Sequence, residues 1–143
     1  MKTSLRVLAL VALLPISHGR AMAAEPLSLQ RQDGATVPAK AYAPAGAACR
    51  GIAVISHGAG GSAEGYEYLG EAMAGLGYLT LVVGHEESGR GALREYVRGN
   101  GLREGLEELI TDPVAYRGRF MDIAAARQWT AARCRSRQAR RSD

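Results

Sequence analysis

The first regular pattern is Leu27 and Leu29 standing alternately among polar neighbours. Asp33-Gly34 follows as a hairpin-turn dipeptide, Val37 to Ala43 continues extended, and Pro44 stops it. This segment is predicted as a two-stranded hairpin. Pro44 to Ala48 is a loop of Pro, Gly and Ala. Ile52-Ala53-Val54-Ile55 is unbroken apolar sequence, the pattern of a strand buried on both faces. After the glycine-rich turn Gly58 to Ser62, residues Leu69, Met73 and Leu76 recur at helical spacing. They predict an amphipathic helix over Tyr66 to Leu76 that stops at Gly77. Tyr78 to Val83 reads as a second buried strand. Strand, glycine turn, helix and strand in that order make a βαβ unit with parallel strands.

Gly84 to Gly101 is polar and glycine-interrupted, and is expected to be an irregular excursion. Leu102, Leu106, Leu109 and Ile110 predict a short helix. Asp112-Pro113 is an N-cap followed by proline at the first helical position. From there Tyr116, Phe120 and Ile123 mark the apolar face of a longer helix that runs to about Ala132. The last eleven residues carry Arg133, Arg135, Arg137, Arg140 and Arg141. With no apolar alternation they cannot be a central strand, and they are read as a disordered basic tail. The chain thus divides into a leader (1–23), one α/β unit (24–132) and the tail (133–143).

The leader is an address. Lys2 and Arg6 precede ten apolar residues, Val7 to Ile16, and Ala21-Met22-Ala23 offers small residues at a signal-peptidase spacing. The product is expected to be exported, periplasmic or secreted, with no integral membrane segment after cleavage. A length of 143 residues, 47% hydrophobic and 22% charged, fits one globular domain. Loss of Lys2, Arg6 and Arg20 leaves fifteen basic residues against fourteen acidic. Setting the arginine tail aside leaves a net −3, so the body is acidic and nucleic acid is not an expected partner.

Ser56-His57-Gly58-Ala59-Gly60-Gly61 lies at the carboxyl end of a predicted parallel strand, where open α/β sheets bind ligands. Glycines there let backbone N–H groups approach a ligand and hold an oxyanion or a phosphate. Together with Tyr66, Leu69, Ala74, Gly77-Tyr78 and Val83-x-His85, this stretch resembles the N-terminal half of an α/β-hydrolase. It is most similar to the dienelactone-hydrolase-like and platelet-activating-factor-acetylhydrolase-like branches. Asp112-Pro113, Tyr116 and Arg119-x-x-Asp122-Ile123 resemble the helix that precedes the nucleophile strand. The resemblance implies an incomplete α/β-hydrolase-type sheet and an oxyanion loop formed by His57, Gly58, Ala59, Gly60 and Gly61, with Ala59 N–H as donor. It implies a small ester or acyl substrate, no cofactor and no metal. Gly-x-Ser-x-Gly, the family's nucleophile setting, does not occur in these 143 residues, and the triad's acid and histidine follow it in chain order. The expectation is therefore a truncated or frameshifted hydrolase, inactive alone, whose open sheet edge takes a partner or aggregates.

The resemblance also places Cys49 and Cys134 at one sheet edge, Cys134 where the next strand would start, and so implies a disulfide, which would fit an exported chain. His57 is expected to shape the loop by hydrogen bonds and His85 to pack or bond locally. Arg119 and Asp122, at i and i+3, read as a helix-surface ion pair. A zinc site of His57, His85 and Glu86 or Glu87 matches no zinc spacing. A rival reading is a dinucleotide-binding βαβ module, because Gly58-x-Gly60-x-x-Ala63 fits that fingerprint. Glu64 near the pyrophosphate and Tyr78 in place of an acid count against it, although Glu86 lies not far beyond. A non-catalytic binding or structural module is the third reading.

Overall fold

The computed structural model describes residues 23–46 and 48–140; the leader, apart from Ala23, lies outside them. Four strands, β1 (Glu25–Gln30), β2 (Thr36–Tyr42), β3 (Gly51–Ser56) and β4 (Tyr78–Val83), form one mixed sheet in the order β1-β2-β4-β3. β2 is antiparallel to β1 and β4, whereas β3 and β4 are parallel, with Ser56 opposite Val83. The helices are α1 (Glu67–Gly75), α2 (Arg90–Asn100), α3 (Leu102–Thr111) and α4 (Pro113–Ala139), with 3-10 turns at Ala63–Tyr66 and Glu86–Ser88. No helix among the described residues is long and apolar enough to cross a membrane.

The hairpin closes as its sequence predicts. Gly34, at φ 85°, donates to the Arg31 carbonyl over 3.1 Å, and Arg31 N–H donates to Ala35. Only glycine adopts such a φ without steric cost. Parallel pairing of β3 and β4 also follows the βαβ pattern. β4 is the buried centre of the sheet, but β3 is only half-buried and Ile52 is 36% exposed. The apolar run reads as two-sided burial, yet no described strand flanks the outer side of β3.

The stripes predicted for α1 and α4 lie off their most buried faces: Leu69, Met73 and Ile123 are only half-buried. Leu76, Tyr116 and Phe120 are exposed, and the buried positions are Gly70 and Ala74 in α1 and Ala115, Gly118, Asp122, Ala125, Ala126, Thr130 and Cys134 in α4. Small side chains win these faces because they let the helix axes come close to the sheet. At Gly70 a Cβ would lie 2.5 Å from the Tyr42 ring. Ala125 and Ala126 pack into the main core with Leu29, Val37, Leu81 and Val83.

Two segments expected to be irregular are helical. Arg90–Asn100 forms α2, whose half-buried Leu93, Tyr96 and Val97 recur at i, i+3 and i+4, a helical spacing that the surrounding Gly91, Gly99 and Gly101 mask in the sequence. Gly105 of α3 lets the two helices touch, since a Cβ there would stand 2.8 Å from the Val97 backbone. The basic tail is helical through Ala139 as the end of α4. Its anchor is a disulfide between Cys49, just ahead of β3, and Cys134, whose Cα atoms are 5.5 Å apart. Cys134 therefore sits inside a helix and not at the start of a strand. The Gln138 amide adds a 3.0 Å bond to the Cys49 carbonyl, and Arg133 stacks on Trp129 at 3.9 Å.

Candidate functional site

Because β3 and β4 run parallel, the residues that follow them leave the same edge of the sheet. Ser56, His57 and His85 are brought together there, with the two imidazole rings 4.8 Å apart. α4 crosses this edge and adds Arg119 and Asp122. His85 Nδ1 lies 2.8 Å from Asp122 Oδ2, and His85 Nε2 lies 2.8 Å from Ser56 Oγ. With the Nδ1 proton directed to the carboxylate, Nε2 accepts from the serine hydroxyl. Asp122 Oδ1 accepts from Arg31 at 3.1 Å, and Arg31 also bonds Glu87 and Asp33 at 2.6 Å each. One network thus links the hairpin turn, both central strand ends and α4. The Arg31 guanidinium holds the Asp33 carboxyl down at about 2.

Arg119 enters from the other side. It donates to Ser88 Oγ at 2.7 Å, to Ser56 Oγ at 3.0 Å and to the His57 carbonyl. Arg119 and Asp122 are therefore not the surface ion pair that their spacing indicates. Asp122 is 2% exposed and Arg119 is half-buried, because this face of α4 looks inward. Each has found partners on other elements. His85 likewise bonds across the fold to residues 29 and 37 positions away, not locally.

The glycine turn is built from its own amides. His57 Nδ1–H donates to the Gly58 carbonyl at 2.7 Å, and Gly61 N–H donates to the same carbonyl at 3.0 Å. Gly60 N–H donates to Ser88 at 2.8 Å. Gly60 has φ 72°, and a Cβ on it would collide with Leu93. Among the described residues, Ala59 N–H has no protein acceptor. Burial pushes the His57 imidazole below the usual histidine range.

Two clefts open beside the turn. One, of about 570 Å³, is lined by His57, His85, Lys40, Glu64, Glu86 and Arg90 among others. Lys40 there is occupied by Glu67 and by Glu64. The other, of about 270 Å³, is lined by Ala59, Ser88, Leu109, Ala115, Arg119 and Ile123, with Tyr116 and Phe120 at its rim. Ser56 lines neither cleft. Glu87, considered as a zinc ligand, is turned to Arg31. The glycine turn leads into the 3-10 turn at Ala63–Tyr66, and α1 begins only at Glu67, so the turn does not open an α-helix as a dinucleotide fingerprint does.

Sequence reasoning singled out His57, His85, Arg119 and Asp122, but it missed Ser56 and Ser88 as their partners and Arg31 altogether. No local signal marks Arg31, which reaches the site only because the hairpin folds back under α4.

Sheet order and helix placement define an α/β protein. No protein-family model matches the chain, and no curated protein matches it. A hypothetical protein from Pseudomonas aeruginosa is similar in structure, with a TM-score of 0.43 and 20% identity over 60% of this chain and 27% of its own. A highly thermostable carboxyl esterase from Bacillus coagulans, solved in complex with glycerol, has a TM-score of 0.40 and 26% identity over 55% of this chain and 24% of its own. The chain therefore spans about a quarter of the length of each of these structures.

Proposed function

We propose that this chain is the N-terminal part of an exported serine-dependent α/β-hydrolase of the dienelactone-hydrolase-like or platelet-activating-factor-acetylhydrolase-like kind. Its chemistry is cleavage of an ester or related acyl bond. The observation that carries the reading is the Ala59 amide, which follows a parallel strand, has no protein acceptor and lines a cleft. In that chemistry a serine attacks the acyl carbon, a histidine shuttles its proton, and backbone N–H groups hold the oxyanion. Ala59 supplies such a donor here. His57 and Gly61, both bonded to the Gly58 carbonyl, keep the loop in shape, and Arg119 pins it through the His57 carbonyl. Gly-x-Ser-x-Gly is not in the sequence, so this reading expects no serine-hydrolase turnover from the 143-residue chain.

A second reading is favoured by one geometry. Ser56, His85 and Asp122 are connected in the order of a nucleophile, base and orienting acid. Against it, Ser56 Oγ is also held by Arg119 and opens on neither cleft. Treatment of the purified chain with a fluorophosphonate probe, followed by peptide mapping, separates the two. The first reading expects no labelled serine, and a mapped adduct on Ser56 would replace it with the second. Reading the nucleotide sequence downstream in all frames tests the first reading directly. It expects Gly-x-Ser-x-Gly between a strand and a helix, and absence in every frame overturns it.

A further inference from the structure

Arg119 is a half-buried cation with no carboxylate partner among the described residues. Its bonded acceptors are Ser56 Oγ, Ser88 Oγ and the His57 carbonyl, all neutral. Of its five N–H groups, the Nε–H and one on Nη1 are left over. Ser88 Oγ accepts from Arg119, so its own hydroxyl proton is free to donate, and no acceptor for it is found among the described residues. Ala59 N–H is in the same position. These three donors line one cleft, whose remaining wall is Leu109, Ile110, Ala115, Tyr116, Phe120 and Ile123.

Leu109, Ala115 and Ser88 are nearly inaccessible and make the deep end, whereas Ile110, Tyr116 and Phe120 are exposed at the rim. Arg119, Ser88 and Ala59 line the cleft together, beside an apolar wall that carries no acidic side chain. A partly buried arginine with no counter-charge is costly unless an anion arrives. The wall in turn stabilises an alkyl group withdrawn from water. At about 270 Å³ the cleft is slightly below the usual range of ligand sites, so the tail must be short.

We propose that this cleft binds a free monocarboxylate with a short or medium alkyl tail, the carboxylate on Arg119, Ser88 Oγ and Ala59 N–H and the tail against Leu109 and Ile123. The site goes beyond the hydrolase reading and needs no nucleophile. It shares the Ala59 amide with the hydrolase reading but rests also on Arg119 and Ser88. The titration reads anion binding, whereas the downstream frames and the fluorophosphonate read a nucleophile, so the two failures are distinguishable.

The test is a titration of the ¹⁵N-labelled chain with octanoate, octanol and acetate, read by amide chemical shifts. Octanoate is expected to shift the Ala59 and Ser88 amides saturably. Octanol lacks the charge and acetate lacks the tail, and each is expected to bind at least about tenfold more weakly, the scale of one lost charge-assisted bond. Ile123→Glu, which places a like charge in the cleft, is expected to weaken octanoate binding by at least about tenfold, on the same scale. Phe120→Asp at the exposed rim is the companion variant should Ile123→Glu disturb the fold. Equal binding of octanoate and octanol overturns the proposal. So do saturable shifts confined to the cleft around Lys40 and Arg90, or no saturable shift at all.

Discussion

Asp122 Oδ2 stands 2.8 Å from His85 Nδ1, and the same carboxylate takes Arg31 on its other oxygen. Among the described residues this carboxylate joins the hairpin, the residues after β4 and α4 through Arg31 and His85. Asp122→Ala leaves the buried Arg31 and His85 without their shared partner. Arg31 keeps Asp33 and Glu87, so the loss is that of unmade bonds to buried donors, about 1–3 kcal/mol. Urea denaturation should show that loss, with Asp122→Asn, which keeps shape and part of the bonding, losing less. Equal stability of Asp122→Ala and the parent would remove the network from the account of the fold.

Gly70 is where α1 meets Tyr42. A Cβ on it would lie 2.5 Å from the ring, whereas one on Gly65 meets nothing within 4 Å. Gly70→Ala should cost about 1–3 kcal/mol through overpacking. Gly65→Ala should change thermal stability little. The contrast between the two melting temperatures is the measurement.

Tyr42 is fully buried, and its hydroxyl has no hydrogen-bond partner among the described residues. An unsatisfied buried donor costs about 1–3 kcal/mol. Tyr42→Phe should therefore be neutral or stabilising in chemical denaturation, which is unusual for a core tyrosine. A marked loss of stability would reveal a partner for that hydroxyl.

The Cys49–Cys134 bond spans 85 residues. In the chain-entropy account a loop of that size contributes about 4.5 kcal/mol. Reductant, or Cys134→Ser, should lower the urea midpoint accordingly and loosen the last turns of α4. Intact mass with thiol labelling under non-reducing conditions checks the bond itself, and two labelled thiols in the folded chain would exclude it.

His57 is held in its uncharged form by burial, so its pKa in the folded chain lies below the unfolded value. The unfolded chain then binds the proton first as pH falls. Stability from this group is complete above about pH 6.5 and declines below it, by at most about 1.4 kcal/mol per pH unit for one proton. Denaturation curves between pH 7 and pH 5 should show that decline. His57→Asn should reduce the slope, and an unchanged slope would assign the titration elsewhere.

Much of the sheet was legible in the sequence because its signals are local. Asp33-Gly34 sets the hairpin, and the apolar runs on either side of one helix set the parallel pair. Asp112-Pro113 marks the start of α4, where the Asp112 side chain accepts from Val114 N–H at 2.8 Å. What escaped was the direction in which helices face. Leu76, Tyr116 and Phe120 are large and largely apolar yet exposed, and the sheet is approached by Gly70, Ala125 and Ala126, because closeness of backbones outweighs side-chain size there. The same misjudged face hid the site. Arg119 and Asp122 were visible as a pair, but nothing local indicates that their partners come from Arg31, Ser56 and Ser88. α2 escaped because Gly91, Gly99 and Gly101 read as loop, although Leu93, Tyr96 and Val97 stand at helical spacing between them.

The sulfur link makes a covalent ring of residues 49 to 134, and β3, β4, α1, α2 and α3 all lie within it. A tug applied between Glu25 and Arg140 passes straight across the ring at Cys49 and Cys134. The load then falls on the β1–β2 ribbon and on the last turn of α4. Stretched from its two ends, the molecule would yield first by peeling the edge strand β1 from β2, starting where Glu25 pairs with Ala41, while the polypeptide inside the ring stays slack.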